Sequence, residues 1–101
     1  MRILITNSAY RDLESIKEYY ASEGVPQIGE KYVLEIVEHI ETLLSHPEIG
    51  RQVPEFETPT IRELIHAPFR VIYLREKKVI RVVRIWRSER KLVLPGEREE
   101  T

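Results

Sequence analysis

Residues 70–91 read RVIYLREKKVIRVVRIWRSERK, and arginine recurs there at every third place, as Arg81, Arg84, Arg87 and Arg90. Three-residue spacing would make a loose stripe on a helix. Val79, Ile80, Val82, Val83 and Ile85 are β-branched, however, and favour a strand. Side chains alternate faces along a strand, so Arg81 and Arg87 join Val79, Val83 and Ile85 on one side. Arg84 then joins Ile80, Val82 and Trp86 on the other. Helices cover one face of such a sheet, and long arginine stems lie over apolar neighbours on the open one. The reading predicts a half-open sheet with a basic, partly apolar surface. The same arginines would also serve simply to keep the sheet soluble and to protect an edge.

Working outward, Glu76-Lys77-Lys78 is a hairpin turn without the Asn-Gly signal that strengthens one. It joins Val79–Arg87 to an earlier β-rich run, Phe69–Arg75, and Ile61–Ile65 precedes that. Residues 47–60 hold three prolines and one glycine and read as a loop laid over the surface. Before the loop the periodicity changes. Val33, Ile36, Val37, Ile40, Leu43 and Leu44 form an apolar helical stripe opposed by Glu30, Glu35, Glu38 and Glu41. Pro26 suits the first turn of this helix, and His46-Pro47 ends it. An earlier helix carries Leu13, Ile16 and Tyr20, with Asn7 and Ser8 as capping residues and Gly24 as a left-handed stop. Arg2–Thr6 is a short leading strand. The order predicts one α+β domain over residues 1–101: an N-terminal strand, a helical hairpin, then a three-stranded antiparallel sheet.

The chain has 101 residues, 42% of them hydrophobic and 33% charged, a globular composition with room for a thin core. With no cysteine, disulfides and thiolate metal sites are excluded. Neither a signal peptide nor an apolar run of membrane-spanning length is visible, so a cytoplasmic location is expected. The net charge of −1 hides a division. Residues 7–60 carry −7 and residues 61–92 carry +7. Such asymmetry bears on partners, not on fold.

The stretch Gly50-Arg51-x-Val53-Pro54-Glu55-Phe56, followed by Arg62-Glu63-Leu64-Ile65, Phe69-Arg70-Val71-Ile72-Tyr73 and Arg84-Ile85-Trp86-Arg87-Ser88-Glu89-Arg90, resembles the toxins of the RelE/ParE superfamily. These are the toxic halves of bacterial type II toxin–antitoxin pairs. The likeness covers nearly the whole chain, and the order of strand, helical hairpin and three strands is also that family's layout. Arg87 stands where the family's last strand commonly carries histidine.

Two functions are implied by this resemblance. RelE-like members cut messenger RNA on the ribosome, which needs activation of a 2′-hydroxyl, donors for the developing charge and a general acid. Their lysine positions fall here on Ile61 and Glu63, and their late arginine and tyrosine positions on Ser88 and Leu94. Arg70 alone matches, and a one-residue slip brings in Arg62. His66 is the remaining acid–base candidate, since histidine titrates near neutrality; it would equally serve as a polar turn residue. Tyr10, Tyr19, Tyr20 and Tyr32 read as packing residues, His39 as a solvated flank, and His46 as a helix-end residue. No two histidines have metal-ligand spacing, so neither metal nor cofactor is expected. A sequence pI near 6.3 is low for a protein that must approach a dense phosphate surface, so direct nucleic-acid binding is not expected outside the ribonuclease alternative.

ParE-like members instead poison DNA gyrase and need a binding surface rather than a catalytic set. The Val-Pro-Glu-Phe and Arg-Glu-Leu-Ile pieces resemble that branch more closely. The resemblance therefore implies a non-enzymatic, gyrase-directed toxin of a plasmid-stabilisation type, neutralised by a cognate antitoxin. A degenerate member that only binds antitoxin fits the same residues. Acidic antitoxin side chains are expected on Arg70, Arg81, Arg84, Arg87 and Arg90, with Trp86 as the apolar anchor.

Overall fold

In the computed structural model, which describes residues 1–87, the chain runs β1 (Arg2–Ile5), α1 (Asn7–Ser22), α2 (Pro26–Glu41), a short 3-10 turn (Thr42–Leu44), β2 (Arg51–Gln52), β3 (Ile61–His66), β4 (Phe69–Arg75) and β5 (Val79–Arg87). The expected α+β architecture is present. Thr6, rather than Asn7 or Ser8, caps α1. Its backbone is extended and its hydroxyl accepts the Ala9 N–H at 3.2 Å. Gly24 takes the left-handed conformation, with φ at 81°, between the two helices. Pro26 opens α2, which ends at Glu41, with the 3-10 turn carrying the chain on to Leu44.

The described strands form one sheet in the order β1-β5-β4-β3-β2. It has five strands rather than the expected three, and it is mixed. β3, β4 and β5 form the antiparallel meander, while β1 pairs parallel to β5 along the far edge, from Arg2 beside Val79 to Ile5 beside Val82. A four-residue strand is not stable by itself, and the nine-residue β5 offers it an edge. The helical hairpin lies within the long connection that a parallel pair requires. β2 is a two-residue pairing of Arg51 and Gln52 with β3, inside the segment read as loop.

The core lies between the helices and the sheet. Ala9, Leu13 and Ile16 of α1, together with Ile36 and Ile40 of α2 and Leu43, pack on Leu64, Phe69, Val71, Tyr73, Ile80, Val82 and Ile85. Burial of these apolar side chains contributes about 1.5–3 kcal/mol each against leaving them in water.

Strict alternation fails in β5. Ile72 pairs with Arg84 but Tyr73 pairs with Val82, so Val83 is an extra residue, a bulge. The bulge shifts the phase of the strand. Ile80 and Val82 face the helices before it, and Ile85 and Arg87 after it; Arg81, Arg84 and Trp86 occupy the other face. The face assignments expected from simple alternation are corrected accordingly. The outer face is not left open either. Val53 and Phe56, from the loop after β2, close over Ile61, Ile72, Val83 and Trp86 as a second small core.

Candidate functional site

β1 stops beside Val82, whereas β5 continues to Arg87. Where β1 ends, the Thr6 N–H bonds the Val82 carbonyl at 3.0 Å and its hydroxyl donates to the Val83 carbonyl at 3.4 Å. The chain then turns away into α1. On the side that β1 occupies lower down, the last residues of β5 therefore have no strand beside them among the described residues, and the flank of α1 leans across the gap. A groove of about 500 Å³ results.

Asp12 of α1 organises its mouth. One carboxylate oxygen accepts the Ile85 backbone N–H at 2.8 Å, so a donor on the open strand edge is satisfied by a side chain. The same carboxylate receives Arg84 through Nε at 2.8 Å and Nη2 at 3.1 Å, a two-pronged pair that reaches around the edge. The Arg84 guanidinium also lies 4.6 Å from the centre of the Trp86 ring. Arg87 donates to the Tyr20 hydroxyl at 3.2 Å and lies 5.7 Å and 5.6 Å from the ring centres of Tyr19 and Phe69. Tyr19, Tyr20, Tyr32 and Phe69 meet in sequence through edge-to-face and tilted contacts, with centroids 5.0 to 5.5 Å apart. Tyr19 remains 51% exposed, which makes it an accessible ring of this series. The arrangement offers two oriented guanidiniums and two aromatic surfaces to a ligand.

The other arginines are elsewhere. Arg70 is buried on the outer face. Its Nε donates to Glu63 at 2.7 Å, and its terminal nitrogens grip Glu55 at 2.9 and 3.1 Å. Arg51 holds the second oxygen of Glu63 at 2.6 Å. The hydrogen bonds from Arg70 keep the Glu55 carboxyl below its ordinary range, and those from Glu55 and Glu63 hold the Arg70 guanidinium more firmly protonated. This network fastens the loop carrying Val53 and Phe56, so the geometry gives Arg70 a role inside the molecule rather than on a docking surface. Arg81 pairs with Glu76 across the turn of its own hairpin. Arg90 lies outside the described residues, as do Ser88 and Leu94.

The three catalytic candidates, Arg62, His66 and Arg70, are not brought together. Arg62 donates to the Gly50 carbonyl at 2.8 Å and pairs with Glu48, tying down the start of the loop. His66 is at the other end of β3, about 13 Å along the strand. Arg70 is on the opposite face of the sheet from both, because its cross-strand partner is Ile65. His66 instead meets His39 of α2, Nδ1 to Nδ1 at 3.0 Å. Burial first, and His66 second, lower the pKa of His39.

Sequence reading missed Asp12, Tyr19, Tyr20 and Phe69 as members of the groove, and Glu63 as a buried anion. Asp12 directly precedes a core leucine, which was the available hint. Its partner is more than seventy residues away, at a separation of 73 from Ile85.

The comparisons with known proteins agree with this layout. The family described as ParE toxin of type II toxin-antitoxin system, parDE, matches residues 3–92. Among solved structures the chain is similar to one from a chromosomal ParDE toxin–antitoxin system of P. aeruginosa, with 31% identity and a TM-score of 0.75. That likeness covers 88% of this chain and 97% of the other. No curated protein sequence matches.

Proposed function

The chain belongs to the ParE toxin family of type II toxin–antitoxin systems, and from that premise we propose that it is a growth-inhibiting, plasmid-stabilising toxin directed at DNA gyrase and neutralised by a cognate antitoxin. The observation that carries this reading is the groove beside β5. It presents Arg84, Trp86 and Arg87 with the exposed ring of Tyr19, a set suited to gripping a protein segment that brings carboxylates and apolar side chains. Of the arginines expected to bind antitoxin, Arg84 and Arg87 lie at this groove, with Trp86 as the anchor between them. An acidic antitoxin segment would share Arg84 with Asp12 and approach Arg87 across the tyrosines. Beyond the end of β1 the edge of β5 has no neighbouring strand among the described residues, and an added strand could take the place of Asp12 on the Ile85 N–H.

Separation of Arg62, His66 and Arg70 supports a binding mode of action over RNA cleavage. A nuclease would need its base, acid and charge-stabilising donors within reach of one phosphate. No described helix is long and apolar enough to cross a membrane.

The test is expression without antitoxin in a bacterial host, with DNA and protein synthesis pulse-labelled in one culture. DNA synthesis should fall first while translation persists. Translation failing first would overturn the gyrase reading in favour of ribosome-dependent cleavage. Growth continuing with both intact would leave a member that binds antitoxin without being toxic.

A further inference from the structure

We propose that His39 and His66 form a two-histidine site for a borderline divalent transition metal, zinc in the first instance, at the contact between α2 and the end of β3. The site is independent of the groove and of the toxin reading. The two residues are 27 positions apart, so no local spacing announces them; the fold alone brings their rings together, with centroids 5.2 Å apart.

Their facing Nδ1 atoms are 3.0 Å apart. A direct hydrogen bond between them requires one ring to donate from Nδ1 and the other to accept there. A metal in place of that shared proton would use both lone pairs. Two imidazole nitrogens on one tetrahedral zinc, each about 2.0–2.1 Å from the ion, stand roughly 3.3–3.4 Å apart. The rings would have to separate by about 0.4 Å, within the reach of small χ adjustments.

Glu35 flanks the pair. Its carboxylate lies 3.7 Å from Nε2 of His66, the ring nitrogen that does not face His39, near enough for electrostatic attraction but longer than a hydrogen bond. A carboxylate there favours the Nε2–H form and leaves the Nδ1 lone pair directed at the gap. Histidines that bind metals commonly donate the other ring N–H to a carboxylate, and Glu35 would have to close by about 0.8 Å to accept one. Glu35 and His39 are four residues apart on α2 and therefore share its face. Imidazole suits zinc, copper and nickel, and it excludes calcium and magnesium as natural occupants. Among the described residues no group of three or more His, Cys, Asp or Glu has metal-holding geometry. The chain thus contributes two ligands, and water completes the shell at a position where His66 keeps 19% of its side-chain surface exposed.

The test uses the untagged full chain, stripped with chelator and titrated with zinc chloride, then separately with nickel chloride. Calorimetry reads stoichiometry and affinity, while NMR follows the imidazole signals. One equivalent should bind, moving the signals of His39 and His66 and leaving His46 in place. His39→Gln and His66→Gln should each weaken binding by about tenfold or more, and Glu35→Gln by about tenfold through loss of orientation. Unchanged affinity in either histidine variant would overturn the proposal. So would metal-induced shifts confined to His46 or the carboxylates, or no uptake of either metal below about 1 mM. Because the NMR readout is made on the unaltered chain, the proposal stays decidable even if a variant fails to fold.

Discussion

Arg70 and Arg84 each hold a carboxylate through paired N–H groups on neighbouring strands of one sheet, yet their side chains are 7% and 43% exposed. The difference lies in what covers them. Over Arg70 the loop after β2 folds down, Val53 and Phe56 complete a small core, and Glu55 and Glu63 are fastened beneath. Beside Arg84 the sheet runs past the end of β1, and the described residues leave an open groove. Similar pairs of side chains therefore do different work. In the covered network, an uncompensated charge has no water to turn to, so losing one partner is costly. In the groove, solvent screens the Arg84–Asp12 pair and its loss costs little, so Arg84 can exchange Asp12 for a ligand carboxylate.

The most direct way to break this contrast is Arg70→Leu, which strands Glu63 with Arg51 as its remaining partner. A loss of about 3–5 kcal/mol in urea unfolding is expected. A change below about 1 kcal/mol would mean that the covered network behaves like a surface pair. Gly50→Ala attacks the same region through packing. A β-carbon at position 50 would press on the Tyr73 hydroxyl and come within 2.7 Å of the Glu63 carbonyl oxygen. Tyr73 cannot retreat easily, since its hydroxyl accepts the Gly50 N–H at 3.0 Å and donates to the Pro47 carbonyl at 3.2 Å. The expected cost is about 1–3 kcal/mol by the same measurement.

On the groove side the expected signature is reversed. Arg84→Ala with Arg87→Ala should weaken antitoxin binding by about thirtyfold, some 2 kcal/mol, while stability to urea falls by only about 1 kcal/mol. Binding within a few-fold of the unaltered chain would remove the groove as the docking surface. The smallest effect concerns acid. Arg70 holds the Glu55 carboxyl below its ordinary value of 4.5, so the folded chain binds that proton less readily than the unfolded one. The stabilisation is complete above pH 4.5 and is lost as pH falls through the lower folded value. Glu55→Gln should flatten that part of the acid-unfolding curve, and an unchanged curve would detach Glu55 from the network.

Much of this contrast was not available to sequence reading. The expectation that Arg81 and Arg87 share one face, with Arg84 on the other, assumed unbroken alternation. The bulge at Val83 inserts one residue, and every side chain beyond it changes face. Burial of Arg70 was equally hidden, because arginine is read as a surface residue unless its carboxylate partners are known to converge. Those partners come from a loop and from a neighbouring strand, at separations of 15 and 7 residues.

Local chemistry determined a good deal. β-branched runs specified the later strands, with Phe69–Arg75 and Val79–Arg87 realised at the expected bounds. Apolar stripes at helical spacing, Gly24 and Pro26 specified a helical hairpin, because these signals depend on backbone preferences within a few residues. The motifs that resemble the toxin superfamily carried the family, which residues 3–92 match. Tertiary structure decided the rest: where β1 pairs, which face each arginine takes, which arginine is enclosed and which borders a groove, and that His39 meets His66. Each of these depends on segments distant in sequence competing for the same space and the same hydrogen-bonding groups, and that competition is resolved only when the whole chain has packed.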